Sequence, residues 1–137
     1  MLLDPARIED TRAWLIKAAA DLAAAAHGLT ASAPLLEDAV FHCQQAAEKS
    51  LKAFLAWNDV PTRKTHNLEA LGRQCEELDP SPKTLIDRAV PLTAYAWKHR
   101  YPGAIDPPTR TEAVSALSTA RSLHEAIAGR LPPAATP

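Results

Sequence analysis

Glycine and cysteine are scarce in this sequence. Among its 137 residues, four are glycine and two are cysteine, whereas 47% are hydrophobic. Alanine dominates the hydrophobic share, and this composition favours closely packed helices. A chain of this length buries about two-thirds of its unfolded surface on folding, so it needs neither a disulfide nor a structural metal. Cys43 and Cys75 each fall on an apolar stripe of a predicted helix, and we expect both to be buried thiols.

Long apolar runs and an excess of one charge are also lacking. The apolar stretches fall well short of the roughly 20 residues that span a bilayer. Residues 1–5 lack the basic start and the apolar run of a signal peptide. The formal net charge is −1, so no strong overall field attracts nucleic acid or membrane, although a local basic patch is still compatible with it. We therefore expect a cytoplasmic protein with no membrane partner.

The common metal-binding and catalytic motifs do not occur. None of the five histidines pairs with a cysteine, aspartate or glutamate at a recognised zinc spacing, and neither HExxH nor CxxC is found. GxSxG and glycine-rich phosphate loops are missing too. The sequence thus predicts no metal, no cofactor and no evident catalytic residue.

What the sequence does contain is a series of helices separated by proline, glycine and capping residues. We predict an all-α fold, an up-and-down bundle of four main helices plus one short helix, over residues 5–131. A flexible C-terminal tail at residues 132–137 is expected to lie outside it. The first helix is expected to start at Asp4–Pro5 and to end at Gly28, and the second to cover residues 35–58. The third should start at Thr65 or His66, and the fourth at Ser81–Pro82, with a kink from Pro91 near residues 87–90. Thr109 with Glu112 marks the start of the fifth.

The second predicted helix is apolar on more than one side. One stripe repeats at alternating spacings of three and four residues, and a second face consists of alanines and one tryptophan. A surface helix needs a single apolar stripe, so this helix is expected to be contacted from several directions. The first stripe is Leu36, Val40, Cys43, Ala47, Leu51 and Phe54.

Polar residues also lie on this helix, and two interpretations remain open for them. Glu48 and Lys52 have the order that stabilises a solvated helix face by a few tenths of a kcal/mol. The alternative is a polar groove that meets a ligand or a second subunit. Asp21 falls on the core stripe of the first helix, where a carboxylate needs a partner, and Lys49 or Arg100 are the leading candidates. The polar residues of the second helix are Gln44, Gln45, Glu48, Lys49 and Lys52.

A basic and aromatic segment follows the fourth predicted helix. Trp97, Lys98, His99, Arg100 and Tyr101 are consecutive. Such a group can stack on a base and contact phosphate. It can equally cap a helix, because cations are favourable at a helix C-terminus. The loop residues 63–64, Arg-Lys, would add to the same basic patch.

Together these features resemble the HEPN domain family (higher eukaryotes and prokaryotes nucleotide-binding). Residues 41–55, FHCQQAAEKSLKAFL, resemble its central helix. Trp14 with residues 21–22 is similar to the first helix, residues 65–68 (THNL) to the "THDL" start of the third, and residues 100–102 to the "RYP" that closes the fourth. The resemblance covers residues 8–127 and implies a helical bundle that usually dimerises. Prokaryotic members often pair with a minimal nucleotidyltransferase, in many cases as a toxin and antitoxin.

Some members of this family are metal-independent RNases, and the sequence departs from their pattern. Those enzymes carry an arginine followed, after four to six residues, by a histidine. Arg100 meets Ile105, Asp106 and Pro107 at the corresponding positions. Without that pair the sequence offers no evident base for attack by the 2′-hydroxyl of RNA.

The leading hypothesis is therefore a homodimeric, non-catalytic binding module that partners a nucleotidyltransferase and holds a nucleotide or RNA. A metal-independent RNase toxin with a degenerate site at His99 and Arg100 is the alternative, and a structural helical adaptor without a ligand is the third. The candidate ligand-binding residues are Asp21, Gln45, Glu48, Lys49, Lys52, Lys98, Arg100 and Tyr101.

Overall fold

The structure is a computed structural model that describes residues 3–103 and 105–137. These ranges contain helices and no strand, so the predicted all-α fold is confirmed. Residues 1 and 2, on which the expected lack of a signal peptide partly depends, lie outside them. The elements are α1 (Pro5–Thr30), α2 (Leu36–Trp57), α3 (Leu68–Leu78), α4 (Lys83–Ala89), a 3₁₀ helix (Val90–Ala96), α5 (Arg110–Ala128) and a second 3₁₀ helix (Pro133–Ala135).

Capping residues account for the starts of α1, α3 and α5. The Asp4 side chain accepts a hydrogen bond from the Ala6 amide at 3.0 Å, and Pro5 occupies the first helical position. Thr109 accepts from the Glu112 amide at 3.1 Å. Both starts agree with the sequence, since these residues satisfy amides that a helix leaves free. Asn67 caps α3 through two amides, so that helix begins at Leu68, later than the predicted Thr65 or His66.

Two other boundaries differ from the sequence prediction. Gly28 does not end α1, which continues to Thr30. The glycine instead lies against the start of α2: its carbonyl accepts from the Leu35 amide at 3.0 Å, and a Cβ there would lie 3.3 Å from the Leu35 carbonyl oxygen. Ser81 does not cap α4, which begins at Lys83 without a side-chain cap. The Ser81 hydroxyl instead accepts a hydrogen bond from Arg130 Nε at 3.0 Å.

Pro91 divides the fourth helix as predicted. The α-helix ends at Ala89, and residues 90–96 continue as a 3₁₀ helix. Proline has no amide hydrogen and its ring clashes with the preceding turn, so regular α-helix stops here. The residues that follow Ala96 therefore form turns instead of a continued helix.

The C-terminal residues 132–137 also differ from expectation, because they pack onto the bundle. Ala135 is fully buried, and the second 3₁₀ helix contacts α1. The Arg12 guanidinium donates to the Thr136 carbonyl at 2.8 Å. A small apolar side chain and one long-range hydrogen bond thus attach a segment whose composition indicated a free tail.

Helix α2 lies at the centre of the bundle. It contacts α1, α3, α5 and the first 3₁₀ helix, as its several apolar faces predicted. Leu51 and Leu55 are completely buried. Cys43 and Cys75 are buried free thiols, as expected, and burial raises the pKa of each to about 12, so neither is a ready nucleophile.

Burial also affects His124 of α5, and this makes stability depend on pH. Burial lowers the pKa of His124 below its usual 6.5, and the ring nitrogen Nδ1 lies 3.2 Å from the Ser50 hydroxyl oxygen. The folded chain binds this proton less readily than the unfolded chain. The stability that depends on a neutral His124 is therefore fully present above pH 6.5. It is lost as the pH drops through 6.5 towards the lower folded-state pKa.

We expect His124→Gln to reduce this loss of stability in acid. The measurement is the melting temperature at about pH 7.5 and about pH 5.5, on either side of the window. His27→Gln, which changes an exposed histidine of α1, is the control and should retain the wild-type pH dependence. An identical acid response in the wild type and His124→Gln would contradict the assignment.

Candidate functional site

Asp21 forms the centre of a polar cluster between α1 and α2. This carboxylate is only 7% exposed. Lys49 Nζ lies 2.6 Å from its Oδ2, and His42 Nδ1 lies 2.7 Å from its Oδ1. The structure thus confirms Lys49 as the partner of Asp21. Arg100 lies elsewhere, and His42 was not identified, although it precedes Lys49 by two helical turns on the same face. We call Asp21, His42 and Lys49 the Asp21 cluster.

A second polar cluster surrounds Glu48. Its carboxylate oxygens lie 3.0 Å from Lys52 Nζ, 2.7 Å from His66 Nδ1 and 3.3 Å from Gln44 Nε2. Gln44, Glu48 and Lys52 are all buried, so the interpretation of the polar residues of α2 as a solvated helix face is wrong for these three. Gln45 is half-buried and donates to Gln44 at 2.8 Å. We call these five residues the Glu48 cluster.

These clusters connect elements of the fold. The Asp21 cluster joins α1 to α2, and Gln44 donates to the His66 carbonyl at 3.0 Å, which attaches the loop before α3. The Lys52 ammonium also lies 5.4 Å from the ring centroid of Trp14 on α1. Most of the polar residues of α2 named above therefore contact other groups of the protein. A role of these residues in binding a ligand stays a prediction.

The basic segment forms one wall of an open groove. Residues 97–100 follow the first 3₁₀ helix as turns, so Lys98 and Arg100 lie beyond the helix end. A groove of about 620 Å³ opens between this segment and the start of α2, and a smaller one of about 240 Å³ adjoins it. Both are lined by Glu37, His99 and Arg100, and we call the two together the Arg100 groove. The other lining residues are Pro34, Leu35, Leu36, Asp38, Lys98, Tyr101, Pro102, Gly103, Ile105 and Pro107.

The side chains of this wall are held by aromatic contacts. The Arg100 guanidinium lies 4.0 Å from the ring centroid of Phe41 on α2. The His99 ring stacks on Tyr95, with centroids 5.9 Å apart and planes 24° apart. His99 Nε2 is buried and has no hydrogen-bond partner in the described part of the chain. Tyr101 and Trp97 are 80% and 59% exposed.

The composition of the groove determines what it can bind. Lys98 and Arg100 supply cations for phosphate, and the exposed Tyr101 ring can stack on a base. Pro34 and Leu35 provide apolar surface on the opposite side. Glu37 and Asp38 are in or near the first turn of α2, where negative charge is favourable. The wall formed by residues 34–38 was not identified from the sequence, because it meets the basic segment only through folding.

A family model decides the identity of the fold. The model for the HEPN domain matches residues 11–131. The chain belongs to the HEPN domain family. No curated protein and no solved structure gives a significant match. The family resemblance of the sequence is thereby confirmed over most of the chain.

The motif residues of this HEPN domain occupy two distinct environments. The residues that resemble the central helix include the buried Glu48 and Lys52, and the "THDL"-like residue His66 bonds to Glu48. The "RYP"-like residues Arg100 and Tyr101 line the open groove. The first set holds elements together, and the second set faces solvent, where a ligand has access.

The Arg100 groove of this HEPN domain presents charged groups and an exposed aromatic ring to solvent. Among residues 3–103 and 105–137, no group of three or more His, Cys, Asp or Glu side chains is arranged to hold a metal ion. In the same ranges, no helix is long and apolar enough to cross a membrane.

Proposed function

We propose that this HEPN domain is a binding module that holds a nucleotide or RNA in the Arg100 groove. We further propose that it acts as a homodimer and partners a minimal nucleotidyltransferase, as in a toxin–antitoxin pair. Membership of the HEPN family supports all three parts. The observation that carries the binding role is the position of Lys98, Arg100 and the exposed Tyr101 around one groove.

The wall of the groove formed by Lys98, Arg100 and Tyr101 suits an anionic ligand with an aromatic part. An arginine head group forms two parallel hydrogen bonds to a phosphate, which makes it a strong phosphate binder. Here the Arg100 guanidinium lies over the Phe41 ring. Because this contact already restricts the arginine side chain, less side-chain entropy is lost when a phosphate binds. A base can then stack on Tyr101.

We expect Arg100→Ala to weaken the binding of labelled ATP or single-stranded RNA by roughly tenfold or more, since a charge-assisted hydrogen bond is worth about 1.5–3 kcal/mol. Fluorescence anisotropy measures this directly. Arg100→Lys keeps the charge but loses the planar contact with Phe41, so it should restore binding only in part.

The matched control is Lys17→Ala, which removes one exposed positive charge from α1 and should leave binding unchanged. If Arg100→Ala and Lys98→Ala both bind as well as the wild type, the Arg100 groove is not the binding site.

The dimer and its partner need separate measurements. Light scattering after size-exclusion chromatography gives the oligomeric state of the chain alone. Co-expression with a nucleotidyltransferase encoded next to it, followed by co-purification, tests the partnership. A monomer that does not co-purify with such a partner would contradict this part of the proposal.

One observation favours a second function, a metal-independent RNase. His99 and Arg100 line the same groove. A histidine can take the proton of a 2′-hydroxyl while an arginine stabilises charge on the phosphate. RNA cleavage in the presence of a chelator, abolished by His99→Ala, would support this function. Intact RNA bound by the wild type would support the binding module.

A further inference from the structure

His66 has an exposed ring that is attached at one edge to a buried carboxylate. The residue lies in the loop between α2 and α3, directly before the capping residue Asn67. Its side chain is 65% exposed. Its Nδ1 lies 2.7 Å from Oε1 of Glu48, whose side chain is only 5% exposed. The inner edge of the ring is therefore fixed, and the outer edge faces solvent.

The contacts of Glu48 determine which ring nitrogen of His66 carries the proton. Glu48 also accepts hydrogen bonds from Lys52 Nζ at 3.0 Å and from Gln44 Nε2 at 3.3 Å. Since a carboxylate surrounded by donors acts only as an acceptor, Nδ1 of His66 is the donor of the 2.7 Å hydrogen bond. In the neutral imidazole the proton is then on Nδ1, and Nε2 directs its lone pair to solvent.

The backbone on both sides of His66 is held in place as well. Gln44 Nε2 donates to the His66 carbonyl at 3.0 Å. The Asn67 side chain caps α3 through two amides, and the Asn67 amide donates to the Thr65 hydroxyl oxygen at 3.1 Å. Because the loop and the ring are both oriented in advance, little freedom is lost when Nε2 meets a reaction partner.

The other four histidines of the chain lack this combination of features. Both nitrogens of His42 lie near carboxylates, at 2.7 and 3.5 Å. His99 Nε2 is buried, and His124 is half-buried. His27 is exposed, but the histidines that pair with a carboxylate within the described ranges are His42 and His66. His27 is thus a natural reference for an exposed ring without such support.

We propose that Nε2 of His66 is a phosphoryl acceptor, a modification site for donors in which phosphorus is bonded to a protonated nitrogen. The Nε2 lone pair attacks phosphorus, and a new N–P bond forms as the bond to the leaving nitrogen breaks. That nitrogen takes the electron pair and leaves as a neutral amine. The His66 ring keeps its Nδ1 proton and becomes positively charged. The Glu48 carboxylate stabilises this charge, which develops at the hydrogen bond already present.

The charges of the loop suit the phosphoryl group. Arg63 and Lys64 are exposed in the same loop as His66, and cations near a phosphoryl group compensate its negative charge. The site is separate from the Arg100 groove, because His66 is not among the residues that line it. The acceptor role therefore goes beyond the proposed binding function and does not depend on it.

The test treats the folded chain with phosphoramidate, a small donor of this class, at neutral pH. Mass spectrometry of peptides, under alkaline conditions that preserve phosphohistidine, follows the label at each histidine. His66 should react about tenfold faster than His27, the factor expected from one hydrogen bond to a charged group. Phosphorus NMR should locate the label on Nε2. In urea, where the contact with Glu48 is lost, both histidines should react at similar rates.

Two variants connect this rate to the residues that produce it. His66→Gln should remove the fast reaction and leave the labelling of His27 unchanged. Glu48→Gln keeps the size of the side chain but removes its negative charge, so it should slow the labelling of His66 to about the rate at His27. The rate at His27 is the internal reference in every sample, and melting curves report whether each variant is folded.

Three outcomes would overturn the proposal. Equal rates at His66 and His27 in the folded wild type would mean that the ring is not prepared for reaction. A label on Nδ1 would mean that Glu48 does not hold this nitrogen. An unchanged rate at His66 in a folded Glu48→Gln variant would mean that the carboxylate does not assist the step. The first two measurements use the wild type, so they decide the matter even where Glu48→Gln does not fold.

Discussion

Glu48→Leu is expected to lower the free energy of unfolding by about 3 to 5 kcal/mol, the usual cost of removing one partner from a buried ion pair. Lys52 would remain buried as an unpaired cation, because its Nζ lies 3.0 Å from Glu48 and little of the side chain reaches solvent. His66 and Gln44 would lose the same partner. The effect should appear as a drop in melting temperature of roughly 10 °C or more.

Two control variants separate the missing charge from the shape of the new side chain. Glu77→Leu changes an exposed glutamate of α3 and should alter stability by less than about 0.5 kcal/mol. The double variant Glu48→Leu with Lys52→Met should recover much of the loss, since a buried ion pair replaced by apolar groups is often neutral. A single variant as stable as the wild type would contradict this role of Glu48.

Leu51→Ala is expected to destabilise the chain by about 2 to 5 kcal/mol, through lost burial and the cavity left behind. Leu51 is fully buried on α2, the helix that contacts α1, α3 and α5. Its carbonyl also accepts a weak hydrogen bond from the Cys75 thiol of α3 at 3.6 Å, so α2 and α3 lie close together here and leave little room for α2 to collapse into the gap.

Urea unfolding measures this loss, with Leu78→Ala as the matched control. Leu78 ends α3 and is 44% exposed, so the same change there should cost less than about 1 kcal/mol. If both leucines cost the same, α2 is not the centre of the core.

Local patterns in the sequence predicted the helices well. The periodic stripe of α2 and the capping residues Asp4 and Thr109 act within a few residues of the chain, so they can be read directly. Gly28 shows where this fails. Glycine is a usual helix terminator, but here a Cβ would lie only 3.3 Å from the Leu35 carbonyl oxygen. The close approach of α2 therefore favours glycine inside the helix, and tertiary packing overrides the local signal.

The candidate site was predicted only in part for the same reason. Lys98, Arg100 and Tyr101 are adjacent in sequence, so their clustering was visible. Glu37 and Asp38 are about sixty residues away and join the groove only when α2 packs beside this segment. His66 likewise reaches Glu48 across a loop, and no spacing rule predicts such a partner.

The helix break at Pro91 has a consequence for how this domain can diversify. Leu92 anchors the 3₁₀ helix in the core, while the turns that follow carry Trp97, Lys98 and Tyr101 outside it. Substitutions at the exposed Trp97 and Tyr101 change the surface chemistry of the turns without repacking the helices. Tolerance to substitution and contribution to stability therefore belong to different stretches of the chain, and the surface of these turns can change on an unchanged scaffold.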